Sequence, residues 1–438
     1  MLSPEENVVL TRVGPNTPMG DLMRRYWQPI APLGQLIERE VMPIKLLGEN
    51  LVLFRDKSGR LGLVAERCAH RKVKLECGHP VNEGIRCAYH GWTYDSSGQC
   101  VVTPGEPAGS TLKDKISINA YPVQELAGLV FAYLGPKSET PPLLPRWDRL
   151  VWDNVYRVCG FAMIPCNWLQ CMENSFDSVH TEWLHGNSFK YWLEKQKIPQ
   201  TDRRWRLAEG FRTHFLRHEY EIGEFGIDKR AMLEGQTEDD DLWATKRPVV
   251  FPNLHLTSGG GRHTFGWRVP LDDTHTMEVF VRVFDPGSGV SVPKQEVVPW
   301  IEVPVVDANG QFSALGTVLG QDVMAWVSQG DITDRSDEKL GDTDRGVILF
   351  RKLLKDQINR VERGQDPINV FRDAANNRCV DLASIKDRGF AWGYAKDGSY
   401  TRGSATVADR LPEAVINEIE DLFVQAAANR SKRAQAVG

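Results

Sequence analysis

Cys68-Ala69-His70 and, after a gap of 16 residues, Cys87-Ala88-Tyr89-His90-Gly91-Trp92 form the stretch on which the reading of this chain turns. Each of two short segments offers one thiol and one imidazole. The surrounding sequence reads as strand and turn. MPIKLLGENLVLFRD (42–56) and GLVAERC (62–68) alternate or run apolar, with a turn at Asp56-Lys57. The Ser-Ser-Gly at 96–98 separates WTYD from QCVV in hairpin fashion, and AGLVFAYLG (127–135) is a further strand. A strand-rich domain is therefore expected over residues 36–135. The Pro- and Gly-rich residues 136–147 read as a linker.

Working outward, residues 1–35 read as short helical pieces packing on the later domain, with Thr17 near the start of a capped helix. Residues 148–438 mix helix and strand. VVFPNLHLTSGGGRHTFGWRVPL and TMEVFVRVF read as antiparallel strands, RGVILFRKLLKDQINRVERG and LPEAVINEIEDLFVQAAANRSKR as amphipathic helices, and TEDDDL (237–242) as a solvated loop. The expected fold class is α+β: an all-β domain plus a catalytic domain whose antiparallel sheet is flanked by helices.

Length and composition bound the function. With 438 residues, 41% of them hydrophobic, the chain can build two or three cores. A net charge of -5 gives no basic surface for nucleic acid. No apolar run is long enough to span a membrane, and the acidic start MLSPEENVVLTRVG has no apolar signal region, so a cytoplasmic protein is expected. In that compartment the eight cysteines read as metal ligands or buried thiols rather than a disulfide framework.

Three readings compete for the first constellation. Structural zinc can take two Cys and two His. A [2Fe–2S] cluster with two thiolates on one iron and two imidazoles on the other fits two loops that each give one of each. The third reading is four unrelated core or surface residues. Cys77, Cys100 and His79 read as unligated.

A second dense segment runs Met172-Glu173-Asn174-Ser175-Phe176-Asp177-Ser178-Val179-His180-Thr181-Glu182-Trp183-Leu184-His185. Read as one helix, it places Asp177 and His180 on one face. His180 and His185, five apart, would diverge by roughly 140°. To share a metal the helix must widen, as π-bulges do, or end; Gly186 is consistent with an end. An ordinary amphipathic helix with two surface histidines is the other reading.

C-x-H-x16-C-x2-H-G-W followed by Y-D-x-x-G resembles the Rieske domain of aromatic ring-hydroxylating oxygenases, in the α subunits of the phthalate dioxygenase-like branch. D-x2-H-x4-H, preceded by Glu-Asn, resembles the mononuclear iron segment of the same family. The resemblance implies that Cys68 and Cys87 bind one cluster iron and His70 and His90 the other. It implies Fe(II) on His180 and His185. A third, carboxylate ligand is Asp322, because Gln321-Asp322 through Gln329-Gly330 resembles the family's downstream segment; Asp331, Asp334, Asp342 and Asp344 are rivals. Asp177 would bridge His180 to a Rieske histidine of the neighbouring subunit, in a homotrimer or stacked trimers. One departure stands out: the family often has Gly where this chain has Lys72.

By the same resemblance the chain takes O2 and electrons to cis-dihydroxylate an aromatic carboxylate. Of the basic residues Arg203, Arg204, Arg206, Lys246 and Arg247, Arg247 is read as the one that grips this carboxylate, with Ser178 as a polar contact beside the second segment. O-demethylation or ring hydroxylation of a substituted benzoate uses the same metals. A Rieske electron carrier and a zinc-stabilised binding protein are readings of other classes. The sequence has no G-x-G-x-x-G fingerprint and no plant-type C-x4-C-x2-C, so NAD(P)H would act through a separate flavin and iron–sulfur reductase.

Overall fold

The computed structural model describes residues 2–259, 261–287, 289–384, 393–394, 400–401 and 410–437. The strands of the N-terminal third are all antiparallel. β1 (Trp27–Pro32), β2 (Val41–Leu46), β3 (Glu49–Arg55), β4 (Leu61–Ala65), β5 (His79–Val81), β6 (Gly84–Arg86), β7 (Thr93–Tyr94), β8 (Cys100–Val102), β9 (Ala120–Tyr121), β10 (Val123–Leu126) and β11 (Leu129–Tyr133) form three small sheets, ordered β2-β3-β4-β9, β5-β6-β7-β8 and β1-β11-β10. β3 shows why its sequence lacks alternation. Val52 and Phe54 face a core shared with Cys68, Cys87 and Trp92, while Leu51 and Leu53 face the main core of the molecule. A strand covered on both faces reads as a continuous apolar run.

The remainder is built on one sheet. β12 (Tyr156–Ile164), β13 (Phe215–Ile222), β14 (Gly226–Leu233), β15 (Arg247–Val250), β16 (Leu254–Gly259), β17 (Arg262–Pro270), β18 (Thr276–Phe284) and β19 (Trp300–Glu302) are ordered β13-β14-β15-β16-β17-β18-β12-β19. Every pairing is antiparallel except β12 with β19. All nine residues of β18 are buried. Val279, Val281 and Val283 face the main core; Phe280 and Phe284 face a second core with Trp326 and Phe423. The helix Glu413–Val437 contributes Ile419 and Phe423 to that second core. The helix Arg345–Glu362 sets Phe350, Leu354 and Ile358 into the main one.

The first residues divide their loyalties. Ser3 and Thr17 cap the helices Pro4–Thr11 and Pro18–Met23. These helices are tied to the large-sheet part: Arg12 pairs with Asp273 at 2.9 Å, and Asn167 Nδ2 donates to the Thr11 carbonyl at 2.9 Å. β1, by contrast, pairs with β11. The second half of residues 136–147 is packed, since Trp27 Nε1 donates to the Pro142 carbonyl and Leu144 and Trp147 are buried, whereas Lys137, Ser138 and Thr140 are exposed. The acidic stretch at 237–242 runs into a short helix, Asp241–Ala244, instead of remaining a solvated loop. Its Trp243 is buried beneath the guanidiniums of Arg217 and Arg230, a cation–π arrangement that overrides the local charge.

Gly160 on β12 lies opposite Phe280, and a Cβ there would sit 2.3 Å from the ring. Gly160→Ala is therefore expected to overpack the centre of the sheet and to cost about 1–3 kcal/mol. The urea unfolding midpoint measures this, and the metal content of the folded fraction should not change.

Candidate metal centres

The two Cys/His segments lie between β4 and β5 and between β6 and β7, and they are built alike. Lys72 N–H donates to the Cys68 carbonyl and Gly91 N–H to the Cys87 carbonyl. Cys68 N–H donates to the Val73 carbonyl and Cys87 N–H to that of Trp92. Both turns need a left-handed residue at the same place: Lys72 has φ +62° and Gly91 φ +71°. The family's usual glycine is thus replaced by a lysine that keeps the glycine conformation.

Both thiols are buried and both imidazoles are exposed. The rings of His70 and His90 lie 4.5 Å apart, and His70 stacks on Trp92 at 4.6 Å. Burial pushes the Cys87 thiol up, while partial desolvation, His70 and Arg71 hold His90 down. Tyr94 accepts a hydrogen bond from Ala69 N–H at 3.0 Å, so its hydroxyl hydrogen is directed to the Cys68 sulfur at 3.2 Å. Two buried thiols beside two adjoining exposed imidazoles match the donor set of a two-iron cluster.

The second segment is not one helix. Trp168–Glu173 is α-helical, Asn174–Phe176 is a 3-10 turn, and Asp177 is extended at φ -108°. Asp177 instead caps the next helix, its Oδ1 accepting from Val179 N–H at 2.8 Å and His180 N–H at 3.3 Å. It reaches His180 by capping, not by sharing a helix face. From Thr181 to Ser188 the chain is a π-helix. Its i→i+5 turn brings residues five apart onto one side. The His180 and His185 rings accordingly lie 5.2 Å apart. The helix does not end at Gly186 but continues as Phe189–Lys195. Gly186 is needed for close packing, since a Cβ would meet Arg212 Cγ at 2.9 Å.

Asp322, on the helix Val318–Val327, completes the group. Its Oδ1 lies 3.1 Å from His185 Nε2 and 3.6 Å from His180 Nε2. Asn174 Nδ2 donates to the same oxygen at 3.3 Å. Among the described residues this is the group of three His, Cys, Asp or Glu placed to hold one metal ion. Asp331 follows the helix as an exposed residue, and Asp342 and Asp344 lie in an exposed 3-10 turn.

The hydrogen bonds of Gln321 decide what the group wants. Its Nε2 donates to the Leu315 carbonyl at 2.9 Å, which turns its Oε1 toward His185 Nδ1 at 2.8 Å. His185 must therefore carry its proton on Nδ1, leaving an Nε2 lone pair facing a carboxylate oxygen. Two acceptors 3.1 Å apart in a buried place call for a cation between them. In its absence a proton serves: burial lowers the affinity of His185 for it, but Asp322 and Gln321 raise it further. Asp322 stays below its usual range, because His185, His180 and Arg268 outweigh its burial. Asp177 does too: burial raises it, and His180 with two backbone N–H groups lowers it more.

Of the two expected substrate contacts, Ser178 shares a 3.1 Å hydrogen bond with Tyr220, whose pKa is pushed up to about 12 chiefly by burial. Arg247 lies on β15 in one cross-strand row with Lys229 and Tyr220. Lys229 Nζ donates to the Ser175 carbonyl at 2.8 Å, which turns this face of the sheet toward the metal segment. Arg204 and Lys246, the neighbouring basic residues, pair with Asp202 and Glu221.

Residues 26–122 match the model for the Rieske [2Fe-2S] domain, and residues 294–404 match one described as LigXa C-terminal domain like. The chain is 37% identical over 391 residues to the 5,5'-dehydrodivanillate O-demethylase oxygenase subunit of Sphingobium sp. (strain NBRC 103272 / SYK-6), covering 88% of this chain and 87% of that one. It belongs to the Rieske non-haem iron oxygenases. The phthalate 4,5-dioxygenase oxygenase subunit of Pseudomonas putida is 31% identical over 441 residues, 90% of this oxygenase and 94% of the relative. The fold also matches the terminal oxygenase of carbazole 1,9a-dioxygenase from Novosphingobium sp. KA1, with a TM-score of 0.54 at 21% identity, over 82% of this chain and 96% of that one. The oxygenase thus carries a Rieske [2Fe–2S] domain and is an oxidoreductase using O2. No helix among its described residues is long and apolar enough to cross a membrane.

Sequence reasoning missed Gln321 and Asn174 as partners of the metal group and Tyr94 as the partner of Cys68. Gln321 stood next to Asp322, yet its role depends on the Leu315 carbonyl, which no motif marks. A Lys in a left-handed turn is strained by about 1–2 kcal/mol. Lys72→Gly should therefore raise the unfolding free energy of the oxygenase by about 0.5–1 kcal/mol, after the greater chain entropy of Gly is set against the relief. Thermal unfolding followed through the cluster's visible absorbance reads this directly.

Proposed function

We propose that this oxygenase acts on an aromatic carboxylate, with electrons from a separate NAD(P)H-dependent flavin and iron–sulfur reductase. The observation that carries the reading is the buried convergence of His180, His185 and Asp322, with Gln321 fixing the His185 tautomer. These three side chains would hold mononuclear Fe(II) as a two-His, one-carboxylate set. Cys68 and Cys87 would hold one iron of the Rieske cluster, and His70 and His90 the other. When bound, the two groups supply one-electron reduction and O2 activation at open coordination positions.

The chain's own residues then orient and connect. Asp177 Oδ2 lies 3.5 Å from His180 Nδ1 while 34% of its side chain stays exposed. His70 and His90 are exposed as well. Both facts support a homo-oligomer, a trimer or stacked trimers, in which Asp177 of one subunit accepts a hydrogen bond from a cluster histidine of the next. Arg247 would grip the substrate carboxylate in bidentate fashion, and Ser178, beside Tyr220, would contact the ring substituents. Both relatives are oxygenase subunits, which supports a separate electron-transfer partner.

The outcome of the reaction has two readings. The phthalate relative supports cis-dihydroxylation. The demethylase relative, at 37% identity, supports O-demethylation of a methoxybenzoate on the same metals. Product analysis over phthalate isomers, chlorobenzoates and methoxybenzoates separates them: a cis-dihydrodiol marks the first, and a phenol with released formaldehyde the second. No oxidation of any member of this panel would contradict the assignment to aromatic carboxylates. Asp177→Asn is expected to keep both metal centres and lose multiple-turnover activity by a factor of roughly 100. Undiminished turnover would contradict the bridging role.

A further inference from the structure

β13 runs beside the first turns of the π-helix and is tied to that segment at two places. Near its start, Glu182 accepts from Phe215 N–H at 3.3 Å and contacts His214 Nδ1 at 3.1 Å. Further along, Tyr220 bonds Ser178. His218 lies between the two ties. It shares the Tyr220 face, since residues two apart on a strand point the same way, and the two rings lie 6.1 Å apart. The residue across the ladder from His218 is Ala231, whose side chain is a single methyl with no polar atom to offer the imidazole. His218 Nδ1 is shielded from solvent and has no hydrogen-bond partner among the described residues. A shielded polar nitrogen without a partner is unfavourable, and a ligand that bonds it relieves that cost.

We infer that His218 is a specificity-determining residue that binds a ring hydroxyl of the aromatic carboxylate, at the end opposite the carboxylate. This rests on the reading of the His180, His185 and Asp322 group as the oxidising site. Arg247 lies two strands across from His218 and two residues along, which places the two Cα atoms about 12 Å apart. With both side chains standing off the same face, that spacing accommodates one aromatic ring hydrogen-bonded at both ends. Tyr220 and Ser178 lie on the same face, so the wall offers neutral hydroxyls beside the imidazole. A hydroxyl can both donate to and accept from such groups, which a methyl or chlorine cannot.

The test is calorimetric titration of the anaerobic, iron-loaded oxygenase with two probes, 4-hydroxy-3-methoxybenzoate and 3-methoxybenzoate, which differ only in the ring hydroxyl. His218→Phe should weaken the hydroxylated probe by about tenfold or more and the other by less than about threefold. His218→Asn, which keeps polar atoms and a smaller volume, provides a second variant and should weaken the hydroxylated probe selectively but less. Arg247→Gln should weaken both probes alike. Equal losses for both probes in His218→Phe, no loss for either, or failure of the wild type to bind either probe would overturn the inference. Iron content is measured on every sample. A wild type lacking mononuclear iron, with His218 still selective in calorimetry, would instead count against the reading of the metal group.

Discussion

The proton on His185 Nδ1 is committed to Gln321, and much of the catalytic half is arranged around that commitment. With the tautomer fixed, Nε2 has a lone pair to offer, and the nearest group is a carboxylate. The low-dielectric surroundings make this juxtaposition costly unless a positive charge lies between them. Such preorganisation must be supported from outside. Thr317 caps the helix that carries Gln321 and Asp322, and Trp326 of that helix is anchored beneath Arg268. The segment before the π-helix is anchored in turn by the buried Glu173, held between Arg335 and Arg351. Two guanidiniums offset the burial of that carboxylate and keep it below its usual range.

The two halves of the molecule are joined by strands that serve two cores each. β3 divides its apolar residues between the cluster core and the main core. β18 does the same for the main core and the one beneath the C-terminal helix. Neither group of candidate metal ligands therefore sits on a free loop. The cluster turns are bounded by short strands, and the π-helix lies between Asp322 and the ties to β13.

The legible part of the sequence was the part whose chemistry is local. Cys68, His70, Cys87 and His90 announce themselves by residue type and spacing, and the sheets follow from turn residues and apolar runs. The five-residue separation of His180 and His185 left two ways for them to share a metal, a widened helix or an ended one, because a 3.6-residue turn cannot superpose them, and the chain takes the first. The break at Asp177 was not legible: an Asp inside an apolar periodicity reads as helix until its carboxylate is seen capping the next turn. Lys72 hid a left-handed turn because only Gly or Asn advertises one. Gln321 and Tyr94 act through His185 and Cys68, 136 and 26 residues away, distances that no short motif spans.

Metal and sulfide analysis of anaerobically purified protein, with electron paramagnetic resonance of the dithionite-reduced form, tests the central claim most directly. The account predicts about three irons and two sulfides per chain and a Rieske-type signal, with the count falling by about one iron in Asp322→Ala while the signal remains. Two irons in the wild type that cannot be raised by Fe(II), or an unchanged count in Asp322→Ala, would contradict it.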